Sequence, residues 1–311
     1  MLGFHESARL PRVVNSTFLV LIPKKDSHVG LWDFWPISLI NSVYKIISKV
    51  LAGRLEKVLN GLISEEQSAF VVGRQIVDGV LMSNEVIHFL RQPSQSSFVL
   101  KLDFSKASAR LSVLFNGLVT KEFGMGRGLR QGDPLSPLLF VLVTEALHVL
   151  LERAVVAGLV RGVEVFPGFA LSHLQFADDT IMFFYASLEV ARNVQRVLFF
   201  FQAYLGLQIN FGKSSLVALG VEGDLVEEVA GLLRCEVGSL PFMYLGLPLG
   251  CNPREKGVWD PMVSRVRSRL AGWKWCSLSF AVRVTLVNSV LSSLRVYYMG
   301  VFVVPRGVIA L

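Results

Sequence analysis

In the stretch FADDTIMFF, Phe176 to Phe184, two aspartates stand side by side inside an otherwise apolar run. A third, Asp103, lies near the end of a second apolar run, FVLKLDF, Phe98 to Phe104. Two readings of Asp178 and Asp179 are open. Turns favour aspartate, so the pair could be only the polar tip of a hairpin. Alternatively the pair binds divalent metal, and then a further carboxylate must arrive from elsewhere. Like charges a few ångströms apart raise each other's pKa, so three converging carboxylates are costly unless cations neutralise them. Two magnesium ions about 3.5–4 Å apart would do so; they would activate a hydroxyl nucleophile and stabilise charge on a transferring phosphoryl group and its leaving pyrophosphate. Magnesium suits the role because it prefers oxygen ligands and shares substrate phosphates. The spacing alone is weakly specific.

The elements around these residues must bring them together. FVLKLDF alternates as a strand, with Leu100, Leu102 and Phe104 on one side and Val99, Lys101 and Asp103 on the other. Leu171 to Ala177 and Thr180 to Phe184 read as two strands flanking the dyad. If that hairpin pairs with the first strand, the three carboxylates meet at one edge. Elsewhere, Phe18 to Ile22 reads as a strand ended by Pro23, and a helical stripe (Val43, Ile46, Ile47, Val50, Leu51, Leu55, Val58, Leu59) follows Ser42. Ser64 and Gln67 have capping-box spacing, which predicts a helical region reaching to about Leu90. Asn116-Gly117 between Leu111–Phe115 and Leu118–Phe123 predicts a hairpin. Asp133 followed by Pro134 opens a helix whose stop is Gly158, and a further helix runs from about Ser187 to Tyr204 before Gly206. Without regular βαβ alternation, the mixture predicts an α+β core.

Bulk properties exclude several classes. The 311 residues are 52% hydrophobic and 18% charged, with mean hydropathy +0.51. The longest apolar candidate, Pro137 to Leu151, is too short to span a membrane and carries Glu145 and His148. The opening MLGFHESARLPR lacks the apolar core of a secretory signal, so an intracellular protein is expected. Cys235, Cys251 and Cys276 are widely separated and form no CxxC pair, so neither a zinc site nor a disulfide framework is indicated. The formal charge of +7 suits a polyanionic partner without being diagnostic.

Specificity comes from RGLRQGDPLSPLLF, Arg127 to Phe140, between the single aspartate and the dyad. With LVLIPKKD, DFWPISLINSVYKIISKVLAGRL, EEQSAFVVGRQIVDGVL, KLDFSKA, FADDT, LGLQINFGKSS, YLGLPLG and LAGWKWCSLSF in order, the chain resembles the reverse transcriptase domain of a plant LINE-type (non-LTR) retrotransposon. The resemblance implies a right-hand polymerase fold: fingers over 1–97, palm over 98–250 and a partial thumb over 251–311. It implies an RNA-directed DNA polymerase that extends a primer 3′-hydroxyl with deoxynucleotide triphosphates on an RNA template, using two magnesium ions for which manganese can substitute. On the same grounds Asp103, Asp178 and Asp179 are the metal-binding catalytic carboxylates. Lys24, Arg74, Gln131, Gly132 and Lys213 are implied to contact nucleotide or template, with Gly132 allowing close approach and Lys213 near the triphosphate. Tyr244 to Leu249 is implied to form the primer-grip hairpin. A nuclear location follows from how such elements integrate.

Four departures from the family pattern bear on activity. Trp35 stands where the family has an arginine that contacts the triphosphate, and indole cannot replace a charged fork. Ser108 stands where an aromatic packs on the nucleotide sugar. The interval from Asp103 to Gly132 is 132 − 103 = 29 residues, a few dozen shorter than the family's, with the join between Ala107 and Leu111. Near the C-terminal end, Trp275 and Cys276 replace Gly and Arg of the family's WKGR, and the thumb stops at Leu311. These departures weigh against catalysis by this copy and leave two alternatives: a non-catalytic nucleic-acid binder, or a non-functional retroelement fragment. For the binder, Lys45, Lys49, Arg54, Arg74, Arg265, Arg267, Arg269 and Lys274 supply candidate phosphate contacts.

Overall fold

The computed structural model describes residues 17–24, 27, 30, 33–92, 96–104, 112–115, 118–119, 131–166, 168–221, 223–271, 279–286, 288 and 298–309. Two sheets organise them. The first has the order β2–β1–β4–β5, where β1 is Thr17–Pro23, β2 is Phe34–Ile40, β4 is Ser112–Phe115 and β5 is Leu118–Val119. The second has the order β11–β10–β3–β9–β8, where β3 is Ser97–Leu102, β8 is His173–Phe176, β9 is Asp179–Tyr185, β10 is Ser215–Leu219 and β11 is Glu236–Gly238. Two hairpins stand apart: β6 (Val163–Phe166) with β7 (Phe169–Leu171), and β12 (Phe242–Tyr244) with β13 (Leu247–Leu249). The helices are α1 (Ser42–Leu59), α2 (Ile76–Leu90), α3 (Ser136–Val156), α4 (Leu188–Leu205), α5 (Asp224–Leu233), α6 (Asp260–Ala271), α7 (Phe280–Leu286) and α8 (Arg306–Ile309). This is the α+β architecture that the sequence predicts.

The five-stranded sheet is covered on both faces, and the two-residue period of its strands sorts side chains between two cores. Val99, Ile181, Phe183, Val217 and Leu219 join Val80, Val86, Ile87 and Leu90 of α2, with Tyr244, Leu247 and Leu249 of the β12–β13 hairpin. Leu100, Leu102, Met182, Phe184 and Leu216 join Leu147 and Leu151 of α3, Ala191, Val194 and Leu198 of α4, and Val229 of α5. Central β3 therefore has apolar neighbours above and below, which is why it reads SFVLKL. The odd-numbered face of β3 and β9 looks toward α2 and the hairpin. Asp103 and Asp179 belong to that face by parity.

Several expectations are met closely. α1 and α4 lie where their periodicity put them, and α3 does so but begins at Ser136 rather than Pro134, with the Asp133 carboxylate accepting from the Leu135 N–H just before it; Gly158 and Gly206 take positive φ beyond α3 and α4. β4 and β5 pair across the Asn-Gly step with Phe115 opposite Leu118; residues 120–123 of that predicted hairpin lie outside the described residues. Two expectations are corrected. No helix begins at Ser64: α2 begins only at Ile76, with the Asp78 carboxylate accepting from the Gln75 N–H. The cause is tertiary. Glu145 of α3 takes both the Ser64 N–H (3.0 Å) and its hydroxyl (3.1 Å), and the Gln67 amide is engaged elsewhere, so neither side chain is left for capping. The apolar stripe of α1 is also narrower in the fold than in the sequence. Ala52 and Leu59 pack with Leu138 and Val141 of α3, while Val43, Ile46, Val50 and Val58 remain exposed.

Candidate polymerase site

β3 and β9 pair antiparallel from Ser97↔Tyr185 to Leu102↔Thr180. One step further, the same register sets Asp103 across from Asp179. β8 and β9 close through Phe176↔Asp179, so Ala177 and Asp178 form a two-residue loop. The pairing that convergence required is therefore present, and it survives the short interval after Asp103. The Asp179 carboxyl is held above its ordinary value, first by burial, then by the neighbouring Asp178 charge and by Asp103, with Lys101 pulling the other way. The two neighbouring charges thus add to the larger effect of burial.

Asp103 is pinned through its backbone. Its carbonyl accepts from the Asn210 N–H (2.7 Å), and its own N–H donates to the Ser214 hydroxyl (3.2 Å). The short 3₁₀ turn Phe211–Lys213 sits between those two anchors, so exposed Lys213 is carried on the turn that fixes Asp103. Sequence reading did not single out Asn210 or Ser214 as such anchors. Lys101, two residues before Asp103 on the same face, was also passed over, although the alternation of the strand marks it. Its Nζ donates to the Met243 carbonyl at 2.8 Å, tying the β12–β13 hairpin to the aspartate strand. That hairpin coincides with the segment expected from Tyr244 to Leu249, and it turns through Leu245 (φ 49) and Gly246 (φ 81).

Other predicted positions make contacts within the chain. The Gln131 carbonyl accepts from the Ser38 N–H of β2 at 3.0 Å. Gly132 has φ +100, and a Cβ there would come within 3.2 Å of the Ser38 carbonyl oxygen, so close approach to this chain's own backbone already demands glycine. Next to it, buried Asp133 accepts hydrogen bonds from the hydroxyls of Ser48, Tyr44 (3.4 Å) and Ser136 (3.1 Å), locking α1 to the start of α3. Lys24 is exposed just after β1, and Trp35 is 42% exposed on β2. Arg74 has internal partners. Its guanidinium donates to the backbone carbonyls of Ser64, Gln67 (2.6 Å) and Ile63 (3.0 Å), within its own loop. Ser108 and Cys276 fall outside the described residues.

Among the described residues, no three His, Cys, Asp or Glu side chains form a ready-made metal cage. Magnesium does not require one, because it commonly keeps waters and substrate phosphates beside only one or two carboxylates. Carboxylate oxygens are hard donors of the kind that mode uses. Burial pushes the Cys235 thiol up to about 11 and raises Cys251 as well, so neither offers a thiolate ligand.

The site is thus a mainly antiparallel sheet backed by helices, with one aspartate just past the end of β3 and two more at the β8–β9 turn. Residues 22–249 match the family described as reverse transcriptase (RNA-dependent DNA polymerase), and the chain belongs to that family. It is similar to the transposon TX1 uncharacterized 149 kDa protein of Xenopus laevis, 27% identical over 96% of this chain and 25% of that protein. It is also similar to the Pol polyprotein of the type-2 retrotransposable element R2DM of Drosophila melanogaster, 26% identical over 76% of this chain and 24% of that protein. This chain thus spans about a quarter of the length of these relatives. Among solved structures, apo telomerase from Candida tropicalis truncated from its C-terminal domain aligns at 11% identity with TM-score 0.44, covering 70% of this chain and 52% of that one. No described helix is long and apolar enough to cross a membrane.

Proposed function

We propose that this chain is the polymerase module of a non-LTR retroelement, of the LINE type found in plants, and that it adds deoxynucleotides to a primer 3′-hydroxyl on an RNA template. The observation that carries the reading is the β3–β9 register, which puts Asp103 across from Asp179 with Asp178 on the adjoining turn. In this reading Asp103, Asp178 and Asp179 hold divalent cations, magnesium in the cell and manganese as a substitute. Bound there, the cations would supply Lewis-acid stabilisation of charge on the transferring phosphoryl group. Lys213, on the turn behind Asp103, would neutralise the triphosphate and offer a proton to the leaving pyrophosphate. The β12–β13 hairpin would seat the primer end, held at its distance from the carboxylates by Lys101. Gln131 and Gly132 would bound the path of template and incoming nucleotide, and Lys24 would meet the nucleotide from the first sheet. We assign fingers to 1–97, palm to 98–250 and the beginning of a thumb to 251–311, and place the protein in the nucleus, where an RNA copied into chromosomal DNA must be joined.

The test is primer extension on oligo(dT)-primed poly(rA), with Mg²⁺ and then Mn²⁺, beside Asp178→Asn. Extension by the parent and none by the variant is the expected result. Absence of extension from folded parent protein would leave a polymerase fold without its chemistry. A second reading is favoured by exposed Trp35 in place of the family's arginine: a non-catalytic nucleic-acid binder. Its mark is duplex binding that weakens steeply with salt and persists in Asp103→Asn, Asp178→Asn and Asp179→Asn.

A further inference from the structure

The dyad turn has an unusual composition for its shape. In a two-residue hairpin loop the first central position commonly needs positive φ, and glycine is the residue that accepts it cheaply. Here that position is Ala177, with φ 54. A non-glycine residue persists in such a conformation only where its surroundings over-determine it.

The surroundings come from residues more than a hundred positions earlier. The Gln67 side-chain carbonyl accepts from the Ala177 N–H at 3.0 Å and from the Ala69 N–H at 3.0 Å, while its amide nitrogen donates to the Thr144 hydroxyl at 3.4 Å. Gln67 is fully buried. The backbone on either side of it is stitched to β8: the Gln175 N–H donates to the Glu66 carbonyl (2.8 Å), and the Ser68 N–H to the Gln175 carbonyl (3.0 Å). The loop is rigid in turn because Arg74 gathers the carbonyls of Ile63, Ser64 and Gln67, and Glu145 of α3 holds Ser64.

We propose that Gln67 is a positioning residue for the carboxylate dyad: its side-chain oxygen holds Ala177 in the left-handed conformation and so sets the direction in which Asp178 and Asp179 leave the turn. Arg74 acts one step behind, by fixing the loop that presents Gln67. The proposal rests on the reading of the dyad as the cation site, but the hold on the turn is measurable without it. Loss of an outer partner of a metal ligand typically weakens metal affinity about 10–100-fold, and that is the size expected here.

The experiment compares Gln67→Met, which keeps the volume and removes the acceptor, with Thr144→Val, which removes the other partner of the amide and keeps the acceptor. Amide hydrogen exchange is followed at Ala177 to Thr180, and Mn²⁺ alone is titrated by electron paramagnetic resonance, with Asp179→Asn as the reference for the site. In Gln67→Met, exchange at the turn should rise about tenfold or more, with β3 unchanged, since the Ala177 N–H loses its partner. Mn²⁺ affinity should fall at least about tenfold. Thr144→Val should melt lower yet keep both properties close to those of the parent. Unchanged exchange at the turn in Gln67→Met overturns the proposal, as does equal loosening in Thr144→Val. Mn²⁺ binding that ignores Asp179→Asn overturns the cation-site reading instead, and the exchange data then still decide whether Gln67 holds the turn.

Discussion

Replacing Arg74 with methionine separates an internal scaffold residue from a ligand contact. Methionine keeps much of the alkyl stem and removes the charged fork, so packing changes little. Three charge-assisted hydrogen bonds are lost, to the carbonyls of Ile63, Ser64 and Gln67. Hydrogen bonds to charged groups contribute roughly 1.5–3 kcal/mol each. Arg74 is half-buried, however, and water can reach part of the site, so the freed carbonyls recover some solvation. A net destabilisation of about 2–4 kcal/mol is expected, with the larger part reporting the 63–75 loop. The assay is the urea midpoint followed by far-ultraviolet circular dichroism, with the slope checked for constancy. Arg74→Lys should recover less than half of the loss, because an ammonium cannot span three carbonyls in one plane. If both variants unfold within about 0.5 kcal/mol of the parent while deoxynucleotide binding weakens, the scaffold argument is refuted and Arg74 is a ligand contact after all.

Asp179→Asn should raise stability at neutral pH while abolishing extension. Burial and the facing aspartates hold the native carboxyl above its unfolded value, so between those two values the native state binds more protons, and stability falls as pH rises through that window. Denaturation midpoints taken across the acid range should show that fall in the parent and a flatter line in the variant; a variant less stable at neutral pH would contradict the account. Lys101→Met should lift the Asp179 titration further, read by carboxyl carbon chemical shift, and speed amide exchange across β12–β13 because the Met243 carbonyl loses its cation. Gly132→Ala should lower stability by about 1–3 kcal/mol, since positive φ and the 3.2 Å approach to Ser38 penalise a Cβ together, and thermal melting checks it.

The sequence made the carboxylate strand and the dyad hairpin legible because both are local patterns: alternation in FVLKLDF and two short apolar runs around Ala177–Asp178. What joined them, the pairing of β3 with β9, is a long-range register that periodicity does not encode. The family resemblance supplied it, and the structure places it. β2 was hidden by Pro36, which weakens its strand signal, and the edge strand β11 is only three residues long. The Ser64–Gln67 capping pattern misled for an instructive reason. The Gln67 side chain does cap-like work, accepting from backbone N–H groups, but those groups belong to Ala69 and to distant Ala177, while the Ser64 hydroxyl donates to Glu145. The resemblance implied Arg74 as a nucleotide or template contact; that its guanidinium also meets the carbonyls of Ile63, Ser64 and Gln67 is a tertiary detail that no local pattern shows.

The position of β3 has a consequence for how the chain is made. Its partners on both sides, β9 and β10, are synthesised later, and β10 begins 215 − 102 = 113 residues after β3 ends. At about 5–20 residues per second, that delay is roughly 6–23 s. For the first 179 − 102 = 77 residues of it the apolar strand has neither neighbour, and until β10 emerges it has at most β9, while α2, which precedes it, can cover only one of its faces. A ribosome-bound chaperone would find a long-lived target there, and slowing translation before β10 should lower soluble yield more than slowing it afterwards.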